Sequence, residues 1–228
     1  MNTWLLLHGA LGSSTQLEPL KKRLEEKGLN VYLMDFSGHH GLPFAADGFG
    51  IETFAHDVIR FLDEQKMDRV NIFGYSMGGY VATWLALTKP SRVNEIVTLG
   101  TKFDWSPETA EAEVKKMDPS RIDLKIPAFA RILEARHRPN DWKELMTRTA
   151  DMMRELGDRP LLTEANLKTL HNRVVVLLGD TDDMADRSFS QQAAGWMRDA
   201  RFVLLEKTGH PIEKVDLDIL VKQIIGSF

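Results

Sequence analysis

The sequence predicts an α/β protein: a doubly wound, mainly parallel sheet of about six strands carrying one helical insertion. Three observations lead there. Short apolar runs of strand length alternate with segments of helical period from the N-terminus to about residue 100 and again from about residue 171. That alternation is the pattern of a parallel sheet covered by helices on both faces. Residues 101–170 contain no convincing strand. The polar, glycine-containing turns follow the carboxyl ends of the apolar runs, where sheets of this kind bind ligands. The expected organisation is a core formed by residues 1–100 and 171–228, with residues 101–170 as the insertion.

The bulk composition narrows the function classes. A chain of 228 residues with 43% hydrophobic residues suits one α/β domain with an insertion. A net charge of −4 and a pI near 6.0 give no basic footprint, so no nucleic-acid partner is expected. The chain has no cysteine, which removes disulfides, a cysteine nucleophile and thiolate metal sites together. Met1-Asn2-Thr3-Trp4 leads at once into Leu5-Leu6-Leu7-His8-Gly9, without the basic start and apolar stretch of a signal peptide. No apolar run approaches the roughly 20 residues that span a bilayer. A cytoplasmic location without membrane contact is expected, and the oligomeric state is left open.

Taken in order, Thr3 to Leu7 is the first predicted strand. It ends in His8-Gly9-Ala10-Leu11-Gly12-Ser13-Ser14, a loop that can bend close to a ligand. A helix over 15–27 follows, with Leu17, Leu20 and Leu24 on one face and Gly28 as its stop. Asn30 to Asp35 is the second strand. Its loop carries His39 and His40, but no further ligand stands at metal spacing, so the histidines are expected to hold their own turn. Residues 51–66 form an amphipathic helix with Phe54, Val58, Phe61 and Leu62 inward. Arg69 to Phe73 is the third strand, and Arg92 to Gly100 the fourth.

In the insertion, helices are expected near 107–117, 126–136, 141–156 and 163–170, with prolines at their joints, lying over one edge of the sheet. Residues 101–160 hold 12 Lys+Arg and 12 Asp+Glu, so Arg131, Arg136, His137 and Arg138 read as solvated faces. Residues 173–178 and 201–206 are the fifth and sixth strands, separated by a helix over 186–198. A last helix runs over 211–225.

The centre of this pattern is Phe73-Gly74-Tyr75-Ser76-Met77-Gly78-Gly79-Tyr80, set between the third strand and the apolar helix from Val81. Gly74 and Gly78 flank Ser76 in the G-x-S-x-G arrangement of a nucleophile elbow. The turn is too tight for side chains at the two glycines. It forces the serine into a strained conformation with its hydroxyl at the end of the sheet. The following helix turns free N–H groups and its positive dipole end toward the same place. Asp182 follows the fifth strand and His210 the sixth. Chemistry alone leaves Asp180, Asp182 and Asp183 open as the acid, and the order of motifs favours His210 over His8 or His39 as the base.

Four motifs in this order resemble an α/β-hydrolase of the small carboxylesterase type. They are His8-Gly9-Ala10-Leu11-Gly12-Ser13, Gly74-Tyr75-Ser76-Met77-Gly78-Gly79, Gly179-Asp180-Thr181-Asp182 and Gly209-His210, and Asp35-Phe36-Ser37-Gly38-His39 fits beside them. The resemblance is to a group that includes carboxylesterases, the biotin-pathway methyl ester hydrolase, enol-lactonases and the menaquinone-pathway synthase. It implies Ser76 as nucleophile, His210 as base and Asp182 as acid. The Ala10 and Met77 N–H groups would form the oxyanion hole, and residues 101–170 a cap.

Leu11, Tyr75, Phe103, Trp105 and Phe129 are expected to line the pocket. No metal or organic cofactor is implied, and a small-molecule ester is the expected substrate. The same site would also serve C–C bond hydrolysis, thioester cleavage, perhydrolysis or a menaquinone-pathway-type elimination. A ligand-binding protein with vestigial activity is the alternative of a different class. The chain departs from the family pattern in beginning at its third strand, so a six-stranded sheet in the order 2-1-3-4-5-6 is expected. His40 stands where the family often has glycine.

Overall fold

A computed structural model describes residues 2–226. Its sheet has six strands: β1 (Thr3–Leu7), β2 (Asn30–Met34), β3 (Val70–Tyr75), β4 (Val93–Leu99), β5 (Arg173–Gly179) and β6 (Ala200–Leu205). All neighbours pair in parallel, in the order β2-β1-β3-β4-β5-β6. The doubly wound sheet expected from the alternation is therefore present.

The strands bury both faces, and their side chains alternate between two cores as a period of two requires. Leu5 and Leu7 of β1, Ile72 of β3, Ile96 of β4 and Val174 and Val176 of β5 point to one core. There they meet α2 (Ile51–Glu64), α3 (Met77–Thr88) and α9 (Arg187–Trp196). Trp4, Leu6, Phe73, Val97, Val175 and Leu177 point to the other. That face is covered by α1 (Glu18–Glu25) and α10 (Leu217–Ile225).

The insertion holds α4 (Pro107–Val114), α5 (Pro119–Lys125), α6 (Pro127–His137), α7 (Trp142–Asp158) and α8 (Glu164–Leu167). Sequence reading misses α5 because Pro119 looks like a joint. Pro119 instead occupies the first turn, where its missing N–H costs nothing, and Asp118 caps that turn by accepting from the Ser120 and Arg121 N–H groups. The last helix is likewise shorter than expected. A 3-10 turn at Ile212–Lys214 comes first, and α10 starts only after Asp216, whose carboxylate accepts from the Asp218 and Ile219 N–H groups.

The insertion does not lie over an edge of the sheet. It leaves β4 and returns to β5, both interior strands, and so emerges above the carboxyl end of the sheet. One small core joins Ile122, Leu133, Trp142, Leu145 and Met146 to Leu11 of the loop after β1, and a second joins Val114, Ala150 and Met153. The packing changes before residue 170. Leu162, Leu167 and Leu170 belong to the core under the sheet, and the Tyr80 hydroxyl accepts from the Leu161 and Leu162 N–H groups at 3.1 and 3.0 Å.

Candidate active site

Ser76 occupies the single residue between β3 and α3, at φ 51° and ψ −117°. A left-handed φ is costly for a residue with a Cβ, and the surrounding backbone imposes it. The Ser76 N–H donates to the Leu99 carbonyl at 2.8 Å, and its own carbonyl accepts from the Thr101 hydroxyl at 2.9 Å. A Cβ on Gly74 would lie 2.4 Å from the Gly79 backbone. One on Gly78 would lie 2.5 Å from the Leu7 carbonyl oxygen. Neither could be relieved by a side-chain movement, which is why the elbow needs glycine on both sides. Met77 opens α3, so its N–H has no carbonyl behind it within the helix.

His210 and Asp182 meet beside this turn. His210 Nδ1 lies 2.8 Å from Asp182 Oδ2, and the two side chains are 9% and 1% exposed. The other carboxylate oxygen of Asp182 accepts from the Met184 and Ala185 N–H groups at 2.9 and 3.0 Å. Burial pushes the Asp182 carboxyl up, but His210 and these N–H groups outweigh it and hold it below its ordinary value of 3.8. Asp180 instead holds the turn, its Oδ1 accepting from the Thr208 N–H at 3.0 Å.

Two supports were not foreseen. The Tyr75 hydroxyl donates to the His210 carbonyl at 3.1 Å. Gly100 sits at φ 61°, where an added Cβ would lie 3.0 Å from Asp182 Oδ2 and 3.1 Å from His210 Nδ1. A side chain there would be strained by the left-handed φ and would crowd the pair. Its place at the end of a predicted strand was the available signal.

Ser76 and His210 open onto one cavity of about 390 Å³. Ala10 and Met77 line it, as do the predicted pocket residues Leu11, Tyr75, Trp105 and Phe129. Phe103 does not. It is 2% exposed and packs in the main core, in the segment between β4 and the first helix of the insertion. Sequence reading missed the sulfur-rich wall of Met117, Met152 and Met153, together with Arg136.

His8, His39 and His40 are tied elsewhere. His8 is fully buried, with Nδ1 2.8 Å from the Gly9 carbonyl and Nε2 accepting from the Phe36 N–H at 3.3 Å. Burial lowers its pKa to about 4. His39 Nδ1 lies 3.2 Å from the Ser37 carbonyl and its ring stacks on Phe49, so it holds its turn as expected. His40 adopts φ 48°, the left-handed conformation that suits the glycine often found there, and its Nδ1 lies 2.9 Å from Asp35 Oδ2. Among the described residues, no group of three or more His, Asp or Glu side chains is placed to hold a metal. No helix among them is long and apolar enough to cross a membrane.

A parallel sheet with a strained serine at its carboxyl end and an Asp–His pair beside it defines the α/β-hydrolase class. The chain belongs to the α/β-hydrolase fold family, whose profile matches residues 3–118. Among curated relatives, a probable alcohol acetyltransferase of Wickerhamomyces anomalus is 38% identical over 96 residues, 42% of this chain and 28% of the relative. A putative carbamate hydrolase, RutD, of Variovorax paradoxus is 34% identical over 109 residues, 47% of this chain and 40% of the relative. A 2-hydroxy-6-oxononadienedioate/2-hydroxy-6-oxononatrienedioate hydrolase of Dechloromonas aromatica is 32% identical over 104 residues, 44% of this chain and 36% of the relative. The chain thus matches less than half the length of these relatives.

Solved structures extend the likeness in fold across the whole chain. NosK of Streptomyces actuosus has a TM-score of 0.83 at 22% identity, covering 99% of this chain and 96% of that one. The enol-lactonase of Burkholderia xenovorans has a TM-score of 0.76 at 20% identity, covering 99% and 90%.

Proposed function

We propose that this chain is a serine hydrolase that cleaves a small-to-medium carboxylic ester through an acyl-enzyme on Ser76. The observation that carries the reading is the 2.8 Å contact between Asp182 and His210, which lines the same cavity as the strained Ser76. In this reading Ser76 Oγ attacks the ester carbonyl and His210 takes its proton. Asp182 orients the imidazole and stabilises its charged form. The Ala10 and Met77 N–H groups receive the oxyanion. His210 then protonates the leaving alcohol, and water activated by the same imidazole releases the acid. Helices α4, α6 and α7 act as a cap whose apolar wall takes the acyl chain.

The likeness to a probable alcohol acetyltransferase favours a second use of the same intermediate, in which an alcohol rather than water resolves the acyl-enzyme.

The test is hydrolysis of p-nitrophenyl acetate and butyrate by the wild type and by Ser76→Ala, with fluorophosphonate labelling of both. Wild type is expected to turn over and to be labelled. Ser76→Ala should lose at least about 10⁴-fold in kcat and escape the label. A folded wild type that is inert and unlabelled would remove the serine-hydrolase reading. Ethyl ester formed in added ethanol would establish the transfer route.

A further inference from the structure

The carboxyl end of α6 is fastened to the loop after β1 at one atom. The Leu11 carbonyl oxygen accepts from Arg136 Nη1 at 2.9 Å and lies 3.0 Å from His137 Nε2. The His40 N–H donates to His137 Nδ1 at 3.1 Å. Nδ1 therefore offers its lone pair, and the ring proton sits on Nε2, directed at Leu11. His137 is fully buried and neutral in this arrangement. Asn140, just beyond the helix, donates to the Gly38 and Leu42 carbonyls at 3.0 and 2.6 Å, so the fastening extends to the neighbouring loop.

The held atom is close to the chemistry. Leu11 is at φ 55°, a conformation that a leucine adopts only when its surroundings enforce it. The Gly12 N–H returns to the Gly9 carbonyl at 3.1 Å, so residues 9–12 form one tight turn with Ala10 and Leu11 at its centre. A Cβ on Gly9 would lie 3.2 Å from Ser76 Cβ, which places this turn directly against the nucleophile. The turn is thus gripped at Leu11 by α6 and abuts Ser76 at Gly9. A carbonyl held by two donors, one of them a guanidinium, resists rotation of its peptide plane. The Leu11 carbonyl shares its peptide plane with the Gly12 N–H, which holds the Gly9 carbonyl. That carbonyl shares its plane with the Ala10 N–H, so rotation at Leu11 would re-aim the Ala10 N–H through this hydrogen bond.

We propose that Arg136 and His137 are positioning residues: by holding the Leu11 carbonyl they aim the Ala10 N–H at the oxyanion formed on Ser76. The proposal rests on the serine-hydrolase reading above. It ties catalytic competence to docking of the cap, because the two donors come from α6 and the acceptor from the core.

The experiment compares Arg136→Met, His137→Leu and the double variant with wild type on p-nitrophenyl butyrate, with active sites counted by fluorophosphonate labelling carried to completion. Each single variant is expected to lose about tenfold in kcat and the double about a hundredfold, with KM within about twofold, since a donor displaced by a fraction of an ångström weakens transition-state binding alone. Affinity for a trifluoromethyl ketone, which forms the tetrahedral oxyanion on Ser76, should fall by the same factors, while affinity for butyrate is retained. His137→Gln and Arg136→Lys keep a donor near each position and should recover most of the rate.

Wild-type kcat in the double variant would overturn the proposal. So would a loss confined to KM with ketone affinity unchanged, which would make Arg136 a substrate-binding side chain. Should the double variant fail to fold, the single variants decide by the same criteria. If wild type itself neither turns over nor labels, the serine-hydrolase reading fails first and this proposal falls with it. An active wild type with fully active variants removes only the positioning role.

Discussion

Two of the helices that border the cavity, α3 and α6, are held in place by different means. Helix α3 buries nine of its twelve residues and approaches the strands so closely that Gly74 and Gly78 admit no side chain. Helix α6 buries only Ala130, Leu133 and His137 and leaves Ile132 51% exposed. Its end is fixed by the Arg136 and His137 side chains to a loop of the core. Ser76 thus sits at the start of an element located by backbone contact, and the pocket wall on one located by a few side chains. Backbone contact fixes a position within tenths of an ångström whatever the surrounding surface becomes. A wall held by side chains can be reshaped by single substitutions without disturbing the elbow.

The largest expected effect lies on the core side of this comparison. Asp182→Asn should lower kcat for p-nitrophenyl butyrate by about 10⁴-fold, because the amide orients the imidazole in the wrong tautomer and leaves its charged form unsupported. Asp180→Asn, which alters only a turn contact, should keep the rate. Equal losses in the two variants would show that the acid has been assigned to the wrong residue.

A smaller effect is expected at the seam between the two regions, where His8, His39 and His137 are all fully buried. Burial lowers the pKa of His8 and of His137 to about 4, and that of His39 well below its ordinary value of 6.5. The unfolded chain therefore binds protons in this interval that the folded chain refuses. Their contribution to stability is complete above pH 6.5 and is lost as pH falls toward 4. One histidine shifted this far accounts for about 3 kcal/mol. The carboxyls of Asp35 and Asp182, held below 3.8, add their losses only at still lower pH. Urea midpoints between pH 7 and pH 4.5 should fall steeply for wild type and less for His137→Gln. Parallel slopes in the two proteins would contradict this account.

The smallest effect belongs to the wall. Phe129→Ala should raise KM for the butyrate ester by about tenfold with kcat little changed, as removal of apolar contact from a substrate pocket costs about 1–3 kcal/mol of binding. A fall in kcat at constant KM would show that α6 reaches the reacting atoms and that the two regions are less separate than drawn here.

The order of the strands came with the family resemblance; the sequence by itself determined the two-faced burial of the sheet and the elbow at Ser76. These follow from short-range rules: alternation along a strand decides which side chains share a core, and two glycines around a serine permit a turn that other residues would block. Asp182 and His210 were legible as the candidate acid and base from the turns that follow strands five and six. Asp180 and Asp182 could be told apart only by family pattern until the structure turned one toward Thr208 and the other toward His210.

What only the tertiary structure decided lies where residues distant in sequence meet. Phe103 reads as a pocket aromatic but packs in the core. Arg136 and His137 read as solvated charge but reach Leu11, more than a hundred residues earlier. Gly100 reads as the end of a strand but makes room for Asp182 and His210. Helical period states which residues share a face and leaves open what that face meets, because crossing and docking of helices depend on side-chain shape across the whole contact.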